Sequence, residues 1–361
     1  MSEMTIPETA DGIDAAWLDG ALRAGGLDTG NHIVATRPEA VAEAVGLMGE
    51  ITRFRLDWDA PADGQPASVI AKLPSALAEN RELALTMGYY ECEHRFYAEV
   101  AGGCAMRTPR TWYSAADAAA GRYALIIEDV GGYERVDQMD GADPDHAAAV
   151  IDALAALHAE WWASPRLRDH AWLPDGLGDD VRIYGDLCKG SWPSFAEATA
   201  GVITDDDRAL AEAFLAGYDT MIDRSLDAPH TLVHRDFRVD NMHFDAGEPV
   251  VFDWGSVAHG GGLYDLAYFM AGSMTVEDRQ AHDTELLARY RSRLASAGVE
   301  VDDPTFGEWH DVGALFCLVV PILAGGSVLD TRDEKGERLV AEALRRLFSY
   351  LHDHDSVRFL D

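Results

Sequence analysis

Hydrophobic positions change their spacing near residue 130. Before it, short apolar runs broken by charge and glycine predict strands at Ile33–Ala35, within Val45–Trp58, and at Ala67–Pro74, Thr108–Tyr113 and Tyr123–Val130. In the second of these, Ile51, Phe54, Leu56 and Trp58 alternate with charged residues. A short amphipathic helix over 12–25, with Ile13, Trp17, Leu18 and Leu22 on one side, precedes the strands, and Ala78–Ala101 reads as a helix between the third and fourth. From Pro144 onward the spacing is helical: Asp145–Trp162, Thr204–Arg224, and stretches near 275–298, 306–324 and 333–352. A long insertion carrying Trp172, Tyr184, Trp192 and Phe195 separates the first two of these. Leu232-Val233, Met242–Phe244 and Val250–Phe252 are short apolar runs within the helical half, and Asp245–Glu248 has the composition of a hairpin turn. The pattern predicts an α+β chain: a small lobe over 1–130 with a five-stranded antiparallel sheet and one inserted helix, and a mainly helical lobe over 131–361.

Composition narrows the partners. With 361 residues, 48% of them hydrophobic, the chain can build packed cores. A formal charge of −34 argues strongly against nucleic acid and anionic membrane as partners, while leaving room for a nucleotide held by one lysine and a metal ion. Cys92, Cys104, Cys188 and Cys317 are dispersed, as free thiols are. The acidic N-terminus has no apolar core, and the longest apolar run, Gly313–Gly326, is short for a bilayer and contains Pro321, so a cytoplasmic protein is expected.

The polar residues between the short apolar runs carry the chemistry. His234, Arg235 and Asp236 are followed five residues after Asp236 by Asn241, and twelve residues further by Asp253, directly before Trp254 and Gly255. This is the layout of a kinase catalytic loop and its metal-binding strand. Phosphoryl transfer needs a carboxylate to take the acceptor's proton, expected at Asp236, and hard oxygen ligands for Mg²⁺, expected at Asn241 and Asp253. His234 reads as a residue that holds the loop backbone, and Asp265 as a possible anchor of the same loop. Upstream, Lys72 sits inside an apolar run, a place that calls for a charged partner. The following helix offers Glu91, Glu93 and Glu99; Glu93 is chosen because Phe96 and Tyr97 would turn it inward, with Glu91 the rival. Gly46 and Gly49 suit a turn over phosphates, and Glu128 to Val130, where the fifth strand ends, suits a linker beside adenine.

On Val45–Glu50, Val69–Lys72, Glu93–Tyr97, Leu125–Val130, Leu157–Trp162, His234–Asp236 with Asn241, Phe252–Gly255 and Tyr264–Ala267, the chain resembles the aminoglycoside phosphotransferase and choline kinase-like superfamily, most closely its ecdysteroid-kinase-like branch. The resemblance covers nearly the whole chain. It implies a two-lobed protein-kinase-like fold and ATP-dependent phosphorylation of a small-molecule hydroxyl. Asp236 would then be the base, Asn241 and Asp253 the Mg²⁺ ligands, Lys72 the nucleotide-phosphate contact and Glu93 its orienting partner. Four features depart from the pattern, the first a glycine loop sparse enough to leave the choice between ATP and GTP open. Arg235 stands where the antibiotic kinases carry glycine, Trp254 replaces the usual phenylalanine, and the short run from Asp253 to Tyr264 lacks an Ala-Pro-Glu motif, which argues against protein-kinase activity. Two other classes are weighed: a nucleotide-binding pseudokinase, and a metal-dependent phosphohydrolase using His234, Asp236, His243 and Asp253. The aromatic residues between 161 and 195 favour an apolar alcohol, such as a steroid or terpenoid, over an amino sugar or quaternary amine.

Overall fold

In 49–58 and 68–74 the alternation of apolar and charged residues becomes two paired strands with Lys72 opposite Ile51. The structure, a computed structural model, describes residues 4–41, 48–176, 179–329 and 334–360. It falls into two units, Met1–Tyr133 with Val250–Ser256, and Glu134–Pro249 with Val257–Asp361.

In the first unit, helix α1 (Ala15–Ala24) precedes strands β1 (Ile33–Ala40), β2 (Gly49–Trp58) and β3 (Ser68–Pro74). Helices α2 (Ala78–Thr86) and α3 (Tyr89–Arg95) follow, then β4 (Thr111–Asp117) and β5 (Arg122–Glu128). The strands form one antiparallel sheet in the order β1-β2-β3-β5-β4. α1 covers one face, where Leu18 and Leu22 join Phe54, Val69, Ala71, Leu73, Ala124 and Ile126 in a buried core. The stretch expected as one helix is two. Gly88 adopts φ +72°, a conformation glycine takes without steric penalty, and this ends α2 before α3 begins. Past Arg95 the chain keeps winding as a π-helical turn over Phe96–Val100. The fourth strand starts later and runs longer than its apolar residues suggested, because Ser114–Asp117 pair with Arg122–Leu125.

An ion pair ties the middle of β2 to the end of β5. Arg53 donates two hydrogen bonds to half-buried Asp129, at 2.6 and 3.1 Å, and Ser68 donates a third at 2.6 Å. Burial alone would raise the Asp129 pKa, but these bonds outweigh it and hold the carboxyl below its ordinary value. A group depressed in the folded state stabilises fully above its unfolded pKa of about 3.9 and loses that contribution as pH falls through the folded value. Asp129→Asn is therefore expected to cost about 1–3 kcal/mol at pH 7. The gap from wild type should shrink in urea titrations below about pH 4, and a gap independent of pH would show that the charge is not what matters.

In the second unit, Asp143 caps α4 (Pro144–Trp161) by accepting the His146 amide at 2.8 Å. Then come α5 (Ile183–Ala198), α6 (Asp205–Ala216) and α7 (Tyr218–Ser225). α5 lies in the insertion that showed no periodic element; Pro193 sits inside it and masks the helix in the sequence. The helix expected over 204–224 breaks at Gly217. Strand β6 (His230–Val233) is followed by a ribbon of β7 (Met242–Asp245) and β8 (Glu248–Val251). Ala246 and Gly247 turn this ribbon with φ of +52° and +86°, the two left-handed residues of a type I′ hairpin. β6 pairs antiparallel with β9 (Ala258–Gly261), whose two glycines gave no strand signal. Helices α8 (Leu263–Ser273), α9 (Val276–Ser296), α10 (Asp303–Phe316), α11 (Val319–Ala324) and α12 (Glu334–Asp353) complete the unit. The helical run Asp303–Ser327 is long and apolar enough to cross a bilayer, contrary to the reading from its core alone, yet 61% of its apolar window is buried inside the protein.

Candidate active site

Period-two alternation decides what Lys72 can reach. Its neighbours Val69, Ala71 and Leu73 face the α1 core, as do Ala124 and Ile126 of β5, so Lys72 and Tyr123 lie on the opposite face, where α3 packs. Lys72 Nζ donates to Glu93 at 2.8–2.9 Å and to Asp253 Oδ1 at 2.6 Å. The Tyr123 hydroxyl donates to Glu93 Oε2 at 2.7 Å. Burial alone would lower the Lys72 pKa, but Asp253 and Glu93 outweigh it and raise the value, so the ammonium keeps its charge. Glu91, the rival partner, instead accepts from Arg95 at 2.8 Å. One turn before Glu93, Tyr90 stacks on Tyr123 with centroids 5.0 Å apart. Its hydroxyl accepts the Ser75 amide at 3.0 Å and donates to the Met48 carbonyl at 2.6 Å, fastening the start of β2. Glu93→Ala would leave a buried ammonium short of one carboxylate and Tyr123 without its acceptor. It is expected to cost about 3 kcal/mol, read by denaturant unfolding.

Asp253 follows β8 with φ +67°, a left-handed backbone that costs a non-glycine residue about 1–3 kcal/mol. The next residue holds it there. The Trp254 ring is fully buried, stacks on Phe96 at 3.9 Å and 8°, and donates its indole N–H to the Val251 carbonyl at 3.0 Å. Tryptophan in this place is thus a packing choice, matched by the Phe96 ring on the π-helical turn.

In the second unit, Asp265 of α8 is fully buried and accepts the His234 amide at 2.6 Å and the Arg235 amide at 2.9 Å. This grip holds Arg235 at φ +67°, the conformation that would suit the glycine found there in the antibiotic kinases. His234 Nδ1 accepts the Asp236 amide at 3.3 Å, so the histidine holds the loop backbone. Asn241, 4% exposed, donates its amide to the Asp236 carbonyl at 2.8 Å and to Asp236 Oδ2 at 2.7 Å. With the nitrogen spent on Asp236, the carboxamide presents its oxygen to other partners. The Asp236 carboxylate also accepts from Arg238 Nε at 3.2 Å and from the Tyr268 hydroxyl at 3.2 Å. Burial, and after it the Asp236 carboxylate, push the Tyr268 phenol well up, so it remains a donor. Arg238 in turn reaches Gln138 and Asp240, both at 3.0 Å.

The structure thus brings Lys72, Glu93 and Asp253 together in one unit and Asp236 with Asn241 in the other. Gly46 lies outside the described residues, and Gly49 is the first ladder residue of β2, opposite Pro74, rather than part of a turn. The Glu128 amide donates to the Arg110 carbonyl at 2.8 Å, its carboxylate accepts from Tyr133 at 2.7 Å, and the Val130 carbonyl closes a turn onto the Tyr133 amide. Tyr268 and Arg238, which fix the Asp236 side chain, were not singled out from the sequence. Arg238 carries a usable signal, two residues beyond the expected base; Tyr268 reaches Asp236 only through the packing of α8.

A sheet unit with a buried lysine–glutamate pair and a mainly helical unit with an aspartate–asparagine loop define a kinase-like phosphotransferase fold. Residues 63–303 match the phosphotransferase enzyme family, more than half of the 361-residue chain, and the protein belongs to that family. It is an enzyme with an alcohol group of a small molecule as phosphate acceptor. Choline kinase from Cryptosporidium parvum shares the fold with a TM-score of 0.57 at 11% identity, over 95% of this chain and 96% of that one. For the GDP complex of aminoglycoside 2'-phosphotransferase-IIIa the TM-score is 0.53 at 15% identity, over 92% and 98%. An aminoglycoside phosphotransferase from Alicyclobacillus acidocaldarius gives 0.51 at 13% identity, over 89% and 91%. No curated protein matches the chain by sequence.

Proposed function

We propose that the protein transfers the γ-phosphate of ATP to the hydroxyl of an apolar alcohol. One observation carries the choice of acceptor. A small pocket, open to solvent, adjoins the residue next to Asp236, and its side chains are Val181, Tyr184, Tyr218, Val233, Tyr264, Phe316, Val319 and Val320. Its one charged lining residue is Arg235, a cation. An amino sugar or quaternary amine would find no carboxylate there and would meet a like charge. Of the lining residues, Val320 is 53% exposed, an apolar side chain open to solvent at the pocket. This preference also supports placing the chain near the ecdysteroid-kinase-like branch.

In this reading Asp236 accepts the proton of the acceptor hydroxyl as its oxygen attacks the γ-phosphorus, the new O–P bond forms and ADP leaves. Arg238, Asn241 and Tyr268 aim the Asp236 carboxylate. Lys72, oriented by Glu93, meets the nucleotide phosphates, and the main chain at Glu128–Val130 lies beside adenine. The donor set suits Mg²⁺, a hard cation taking carboxylate and carboxamide oxygens, here Asp253 and Asn241. When bound, that ion neutralises phosphate charge. The bound GDP of one solved relative supports a nucleotide donor. Against the phosphohydrolase alternative, no group of metal-ligating geometry among the described residues includes His234, Asp236 or His243.

The test compares kcat/KM for hydroxylated steroids and terpenoids with that for aminoglycosides and choline-like amines, by ADP release. Apolar acceptors are expected to lead, and Val320→Asp to lower their kcat/KM without changing the KM for Mg-ATP. A cationic acceptor turned over faster than any apolar one would overturn the assignment.

A further inference from the structure

A second group of side chains stands apart from the Asp236 loop. His230 and His259 lie on β6 and β9, whose register pairs His230 with Gly261 and Leu232 with His259. The two histidines are therefore diagonal neighbours on one face of the ribbon. The segment before the cavity wall adds a third element: the His259 amide donates to the Pro174 carbonyl at 2.9 Å and the Gly176 amide to the His259 carbonyl at 2.8 Å, a parallel bridge that sets Asp175 opposite His259. Three separate stretches thus bring two imidazoles and a carboxylate to one place. Their ligand atoms all lie within 4.8 Å of one another, and the His230 and His259 Nδ1 atoms are 2.8 Å apart.

We infer that Asp175, His230 and His259 form a binding site for a borderline divalent cation of the zinc class. Two neutral imidazoles and a carboxylate are the three-ligand set that leaves a fourth, open position on zinc. Nitrogens bound to one tetrahedral zinc at about 2.0–2.1 Å stand about 3.3 Å apart, so the two rings need open by only about half an ångström. Mg²⁺ prefers oxygen ligands and does not compete. The other group of similar composition, His310, Asp311 and His354, is already spent. His310 bonds Asp311 at 2.8 Å and Tyr350 at 2.6 Å through its two nitrogens, and His354 bonds Asp283 at 3.1 Å. A cation on Asp175, His230 and His259 would pin the 174–176 segment to β9, and Gly176 and Gly261 of these stretches line the apolar cavity. The inference is independent of the acceptor assignment.

The full chain, stripped with chelator and dialysed, is titrated with Co²⁺ and followed by its visible absorption. About one equivalent is expected, with the strong bands of a four-coordinate ion, displaced by an equimolar amount of Zn²⁺ and not by excess Mg²⁺. Removing a ligand in His230→Ala or His259→Ala should weaken binding by more than the roughly 10–100-fold that loss of an outer-shell partner costs. His354→Ala should leave it unchanged. Wild-type protein that binds no Co²⁺ overturns the inference without recourse to a variant, and shows that the histidines share only a hydrogen bond. Binding that survives in both ribbon variants and disappears in His354→Ala overturns it equally.

Discussion

Asp236→Ala is expected to lower kcat by about 10²- to 10⁴-fold, the span that a positioned general base supplies. The variant should still fold. Asp236 is partly exposed, and its loss leaves Asn241 and Tyr268 each without one acceptor, a cost of about 1–3 kcal/mol. Mg-ATP should continue to raise the melting temperature, because Lys72 and its partners belong to the other unit of the chain. Loss of activity with retained nucleotide stabilisation, read by ADP release and a thermal-shift titration, separates a chemical role from a structural one. Activity within a few-fold of wild type would remove Asp236 from the reaction.

Asp265→Ala should behave in the opposite way. Its carboxylate is fully buried and satisfies the amides of His234 and Arg235. Removing it strands one buried and one partly buried donor at up to about 1–3 kcal/mol each, so a loss of about 2–4 kcal/mol is expected in urea unfolding. It also releases the left-handed backbone at Arg235, on which the direction of the next residue, Asp236, depends. Activity should therefore fall together with stability, and Asp265→Asn, with one oxygen acceptor left, should lie between. An Asp265→Ala protein as stable as wild type would mean that the loop is held by something else.

These contrasts show which features a sequence exposes. The lysine–glutamate pair was legible because a charge inside an alternating apolar strand demands a partner, and because Phe96 and Tyr97 fix which face of the following helix turns inward. Asp236, Asn241 and Asp253 were legible as spaced oxygen groups along the chain, and the structure brings the first two together through the asparagine amide. The hairpin between them was legible from its turn residues. Features that depend on distant packing were not. Tyr268 meets Asp236 only because α8 begins where Asp265 grips the loop, and β9 is a strand only because β6 supplies its partner. α5 was hidden by Pro193, and the break at Gly88 depends on a backbone angle that glycine permits without demanding. The Arg53–Asp129 pair joins residues 76 apart in the chain and leaves no local pattern.

The measurement that tests the account most directly is single-turnover transfer of labelled γ-phosphate from Mg-ATP to a hydroxylated steroid or terpenoid, with the acceptor recovered and its mass determined for wild type and Asp236→Ala. The account predicts a phosphate ester on the acceptor hydroxyl with wild-type protein, and none above background with the variant. Label released only as inorganic phosphate, or an ester formed equally well by Asp236→Ala, would contradict it.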